Sequence, residues 1–74
     1  MVASSSPHFV AANMAVYTAR AQAEELARLM TALDWAQPDS HELLLTAAEA
    51  ASARIADSLK IARTAHEEAK ARAA

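Results

Sequence analysis

The sequence predicts an all-α fold: an antiparallel two-helix hairpin that dimerises into a four-helix bundle. Three observations carry that prediction. The chain has no glycine and two prolines, while alanine fills roughly three positions in ten, so turn-rich sheet folds lack their usual residues and helix is favoured. Apolar residues recur at alternating steps of three and four on both sides of a single interruption. That interruption, Asp34 to Ser40, contains Pro38, which lacks an N–H and biases Gln37 away from the helical region.

Residues 1–6 read as a flexible tail, because the hydroxyls of Ser4, Ser5 and Ser6 compete with helical hydrogen bonds. Ser6 supplies an N-cap and Pro7 suits the first helical position, so helix 1 is expected over about residues 7–33. Its stripe is Phe9, Val16, Leu26, Met30 and Leu33 with Ala12, Ala19 and Ala23 between them. Arg20, Glu24 and Arg28 are spaced by four on the outer face. The turn is expected over residues 34–39. Asp39 then serves as N-cap, Glu42 completes a capping box, and Pro38 with Leu43 forms a hydrophobic staple. Helix 2 is expected over about residues 40–70, with the stripe Leu45, Ala48, Ser52, Ile55, Leu59, Ala62, His66 and Ala69. The hairpin as a whole occupies residues 7–72.

Folding the chain about Gln37 brings the two stripes together as antiparallel neighbours. The expected layers are Leu33 with His41, Met30 with Leu45, Leu26 with Ala48, Ala23 with Ser52, Ala19 with Ile55, Val16 with Leu59, Ala12 with Ala62, and Phe9 with His66. Most pair a large residue with a small one, as interdigitated packing requires. The all-small layer of Ala23 and Ser52 would let the backbones approach closely.

Two helices shield one stripe each, which leaves Val10, Tyr17, Leu29, Leu43, Leu44 and Ile61 outside. Leu29, Leu43 and Leu44, beside Trp35 and with Ile61 further along helix 2, form the candidate interface. A chain of 74 residues buries only ~60% of its unfolded surface, and with no cysteine it has neither disulfides nor thiolate zinc sites to compensate. A homodimer covers the surplus. In the competing arrangement Trp35 folds back over the leucines within one chain.

The residues offer little chemistry. His8 and His66 face each other at the open end beside Glu67, but each stands alone on its helix without the spacing that puts two ligands on one face. Packing or solvent exposure is the reading for both, and packing over Leu33 is the reading for His41. No serine sits in a nucleophile-elbow turn, and without glycine no phosphate-cradling loop exists. An enzyme is therefore not expected, nor a metal or cofactor.

The formal net charge of −2 gives no global attraction to nucleic acid or to anionic membranes. On helix 2, Arg54, Lys60, Arg63, Lys70 and Arg72 are balanced by Glu42, Glu49, Asp57, Glu67 and Glu68. There is no apolar run of the ~18 residues that would span a bilayer, and no charged leader, so the expectation is a cytoplasmic protein without membrane contact.

The architecture is similar to that of Rop, a small RNA-binding plasmid regulator that also dimerises as a hairpin into a four-helix bundle. No sequence motif is shared, so the similarity carries shape and not function. The expected function is that of a small non-enzymatic helical interaction protein, an adaptor or chaperone-like subunit acting through self-association or a partner helix. The alternatives are a Rop-like nucleic-acid-associated regulator and a hairpin subunit of a helical filament.

Overall fold

The computed structural model describes residues 7–73. They form two helices, α1 (Pro7–Trp35) and α2 (Pro38–Ala73), packed along each other as an antiparallel hairpin. Among the described residues there is no strand. The tail expected over residues 1–6, and with it the Ser6 cap, lies outside the described residues.

The break between the helices is shorter than its composition suggests. Only Ala36 and Gln37 leave the helical pattern, where residues 34–39 were expected to do so. The reason is Pro38, which occupies the first position of α2, where its missing N–H costs nothing. The Gln37 carbonyl accepts the backbone N–H of Ser40 at 2.9 Å and of His41 at 3.0 Å, which makes Gln37 the N-cap. Asp39 is therefore inside the first turn of α2, its carboxylate in the field of the helix N-terminus, and the expected capping box with Glu42 is displaced. On the other side, the Ala36 N–H donates to the Leu33 carbonyl at 3.3 Å and closes α1 with a tightened last turn. Leu43 is 74% exposed and does not form the expected staple with Pro38.

The seam between the helices uses five of the eight expected stripe positions on α1 and four of the eight on α2. On α1 the least exposed positions are Phe9, Ala12, Ala15, Ala19, Gln22, Leu26, Leu29 and Leu33, with Ala36 just past its end, a heptad pattern. On α2 they are Leu44, Ala47, Ala48, Ala51, Ile55, Ser58, Ala62, Ala65 and Ala69. Phe9, Ala12, Ala19, Leu26, Leu33, Ala48, Ile55, Ala62 and Ala69 were anticipated. Val16, Ala23, Met30, Leu45, Ser52, Leu59 and His66 are exposed instead, so the layers built on them do not form the seam. The physical reason is size. Helix axes approach according to the side chains between them, and the Ala15, Ala51 and Ala65 side permits a closer approach than one lined by valine, methionine and leucine. Phe9 and His66 do meet, with ring centroids 5.9 Å apart in an edge-to-face arrangement.

The resulting core is thin. Its buried apolar residues are Ala12, Ala19, Ala51, Ala62, Ala65 and Ala69, and among the described residues no large side chain is fully buried. A buried methyl contributes on the order of 1 kcal/mol, against about 2–3 for a leucine. The molecule measures 54 × 19 × 12 Å, and its radius of gyration of 16.7 Å exceeds the ~11 Å of a compact domain of this length. Its accessible surface is 5745 Å². A compact protein of its mass exposes about 4,400 Å², so the hairpin leaves about 1,300 Å² more in water than its size requires.

Candidate functional site

The two sides of the hairpin differ. Next to the seam on one side lie Phe9, Val16, Ala23 and Met30 of α1, each a heptad apart, and Leu45, Ser52, Leu59 and His66 of α2. In an antiparallel pair these equivalent positions flank the seam on the same side, and an open groove lined by Ala12, Val16, Leu59, Ala62 and His66 confirms it. Val16, Met30, Leu45 and Leu59 are 47%, 57%, 43% and 49% exposed, so each has one flank on the seam and one in water. The opposite side carries Ala11, Thr18, Glu25 and Ala32 of α1 and Ser40, Ala47, Arg54, Ile61 and Glu68 of α2, with Met14, Trp35 and Leu43 exposed one step further out. The first side therefore has apolar residues lined up beside the seam on both helices, while the other mixes charged residues and alanines with separate exposed apolar side chains.

Charge on the apolar side is sorted by position. One step further out from the seam, α2 presents Glu42, Glu49, Ala56, Arg63 and Lys70, again a heptad apart. Glu42 and Glu49 border a shallow depression around Leu45, beside the turn. Arg63 and Lys70 border the groove around Leu59, at the open end, with Glu67 on its outer edge. The matching positions of α1 run from Asn13 and Arg20 to Ala27 and Asp34, so Asp34 adds to the acidic end. The face is acidic near the turn and basic towards the termini.

The expected interface residues are divided. Leu29 and Leu44 are half-buried in the seam, while Trp35, Leu43 and Ile61 stand on the outer surface at 83%, 74% and 60% exposure. Trp35 does not fold back over the leucines; the facing helix is what draws Leu29 and Leu44 out of water. Besides several alanines, two polar residues of the seam were not singled out by the sequence. The Ser58 hydroxyl donates to Gln22 Oε1 at 2.9 Å across the hairpin. Their signal was positional: each is a polar residue recurring in step with a run of alanines on its own helix.

His66 is exposed and meets the Phe9 ring edge to face, and His41 is exposed at the start of α2. The His8 side chain, expected opposite His66, lies outside what the structure describes. Among the described residues no three His, Cys, Asp or Glu side chains cluster as a metal site would require, and no helix is long and apolar enough to cross a membrane. Arg20 lies 5.9 Å from the Tyr17 ring on the outer surface of α1, a cation–π contact that covers part of the ring. Compared with protein-family models, curated proteins and solved structures, the chain matches none.

Proposed function

We propose that the chain is a non-enzymatic helical association module, a small subunit whose work is to hold its apolar face against another pair of helices. The observation that carries this reading is the row of Val16, Met30, Leu45 and Leu59, half in water along one side of a hairpin whose own core is alanine. Helices that face the centre of a bundle bury the two seam positions and one flanking position of each heptad, and here that third position is apolar throughout α1 and alternates leucine with Ser52 and His66 on α2. The thin core supports the same reading, because a small fold without disulfides draws stability from association.

The test is sedimentation equilibrium across the micromolar range, run with circular dichroism, on the wild-type chain and a Val16→Asp/Leu59→Asp double variant. The wild type is expected to sediment as a multiple of its 7.8 kDa mass and the variant as a monomer. A helical, cooperatively folded wild-type monomer at every concentration would overturn the reading.

A further inference from the structure

We infer that the apolar face is covered by a second copy of this chain, laid head to tail about a two-fold axis that passes beside Ala56, so that α2 packs antiparallel on its own symmetry mate. The inference rests on the association reading above and adds the partner and its geometry.

The charge order on the face selects this arrangement. Glu42 and Lys70 stand fourteen residues either side of Ala56, and Glu49 and Arg63 stand seven either side. All five occupy one heptad position on the apolar side of α2. When two antiparallel copies of α2 cross at Ala56, Glu42 of each meets Lys70 of the other and Glu49 meets Arg63. That makes four opposite-charge contacts from one self-complementary surface, as a two-fold interface requires, against one like-charge pair where Arg20 of α1, level with Ala56, faces its own copy. Between the charges, the Leu45 end of one copy covers the His66 end of the other, and Ser52 faces Leu59. The small Ala56 at the axis lets the helices come close.

The other way to stack two hairpins puts turn on turn. It sets Asp34, Glu42 and Glu49 of both copies at one end and Arg63 and Lys70 of both at the other, and like charges at that distance repel. The area is adequate too. A stable interface buries about 800 Å² per partner, and the hairpin exposes about 1,300 Å² beyond what a compact chain of its mass would.

The experiment is charge reversal with mixing. A Glu42→Lys/Glu49→Lys chain and an Arg63→Glu/Lys70→Glu chain each place like charges in all four contacts when paired with themselves. Mixed together, each reversed charge meets an opposite one. Sedimentation equilibrium at low salt is expected to show each variant alone associating at least about tenfold more weakly than wild type, and the equimolar mixture recovering wild-type affinity. Weakened association that mixing does not recover, or variants that dimerise as well as wild type, overturns the head-to-tail geometry while leaving the association reading intact. A folded wild-type monomer overturns both.

Crosslinking gives a second readout that does not depend on the charge variants folding. The chain has no cysteine, so Ala56→Cys is expected to form a disulfide-linked dimer under mild oxidation. Ala53→Cys, on the outer face of α2, is expected not to. Equal crosslinking of the two, or none at Ala56→Cys in a chain that dimerises, overturns the axis position.

Discussion

The hydroxyl of Ser58 donates to Gln22 Oε1 at 2.9 Å, joining α2 to α1 across a seam otherwise made of methyl groups and half-buried leucines. An alanine seam is nearly indifferent to sliding, because a shift of one heptad replaces alanine by alanine over much of its length. A polar pair removes that indifference. Slid by a heptad, Ser58 would face Ala15 or Leu29 in place of Gln22, and its buried hydroxyl would lose its partner. Ser58→Ala and Gln22→Ala are each expected to cost ~1 kcal/mol in urea denaturation, with a coupling of ~0.5–1 kcal/mol in the double-mutant cycle. Strictly additive losses would show that the two side chains do not act as a pair.

Ala51 is 0% exposed at the centre of the hairpin, where the helices have no room for a larger side chain. Ala51→Leu is expected to push the helices apart at a cost of ~1–3 kcal/mol. Ala53→Leu, on the solvated side of α2, should stay within about 0.5 kcal/mol of wild type. Thermal melts followed by circular dichroism at matched concentration compare the two directly.

Leu43 and Leu44 are adjacent in sequence and opposite in consequence. Leu44 is half-buried against α1, whereas Leu43 is 74% exposed. Leu44→Asp places a charge in the seam and is expected to cost about 2 kcal/mol or more. Leu43→Asp is expected to change stability by less than about 0.5 kcal/mol, and iodide should quench Trp35 fluorescence equally in both folded proteins. Equal effects of the two substitutions on the urea midpoint would contradict the seam.

At the start of α2, Gln37 occupies the N-cap although glutamine is not among the residues that cap well. Its backbone carbonyl takes the first helical hydrogen bonds, including that of the Ser40 N–H, but its long side chain is poorly suited to reach the N–H of Asp39. Gln37→Ser is expected to raise stability by ~0.5–1 kcal/mol. An unchanged denaturation midpoint would mean that this donor is already satisfied.

How much of this was legible varied with the kind of interaction. The two helices, their break near Gln37 and the contact of Phe9 with His66 follow from periodicity and from one proline. The N-cap was misplaced by two residues because Asp39 has the better capping side chain, while Pro38 has the stronger claim on the first helical position. The candidate interface was drawn from the largest leucines left over, and two of those, Leu29 and Leu44, are seam residues. The charge order of Glu42, Glu49, Arg63 and Lys70 was present as a heptad spacing, but a count of balanced charges conceals where along the helix each sign falls.

By itself the sequence determined that the chain is helical, where it turns and that its two halves pair, because those follow from local backbone preference and a strong period. Which flank of each stripe enters the seam was decided only in three dimensions. Ala12, Ala19, Leu26 and Leu33 are flanked by apolar or small residues on both sides except at Gln22, so periodicity alone is satisfied by either rotation of the helix. Close approach of the two axes breaks the tie in favour of the alanines. That rotation turns Val16, Met30, Leu45 and Leu59 outward as the exposed apolar face.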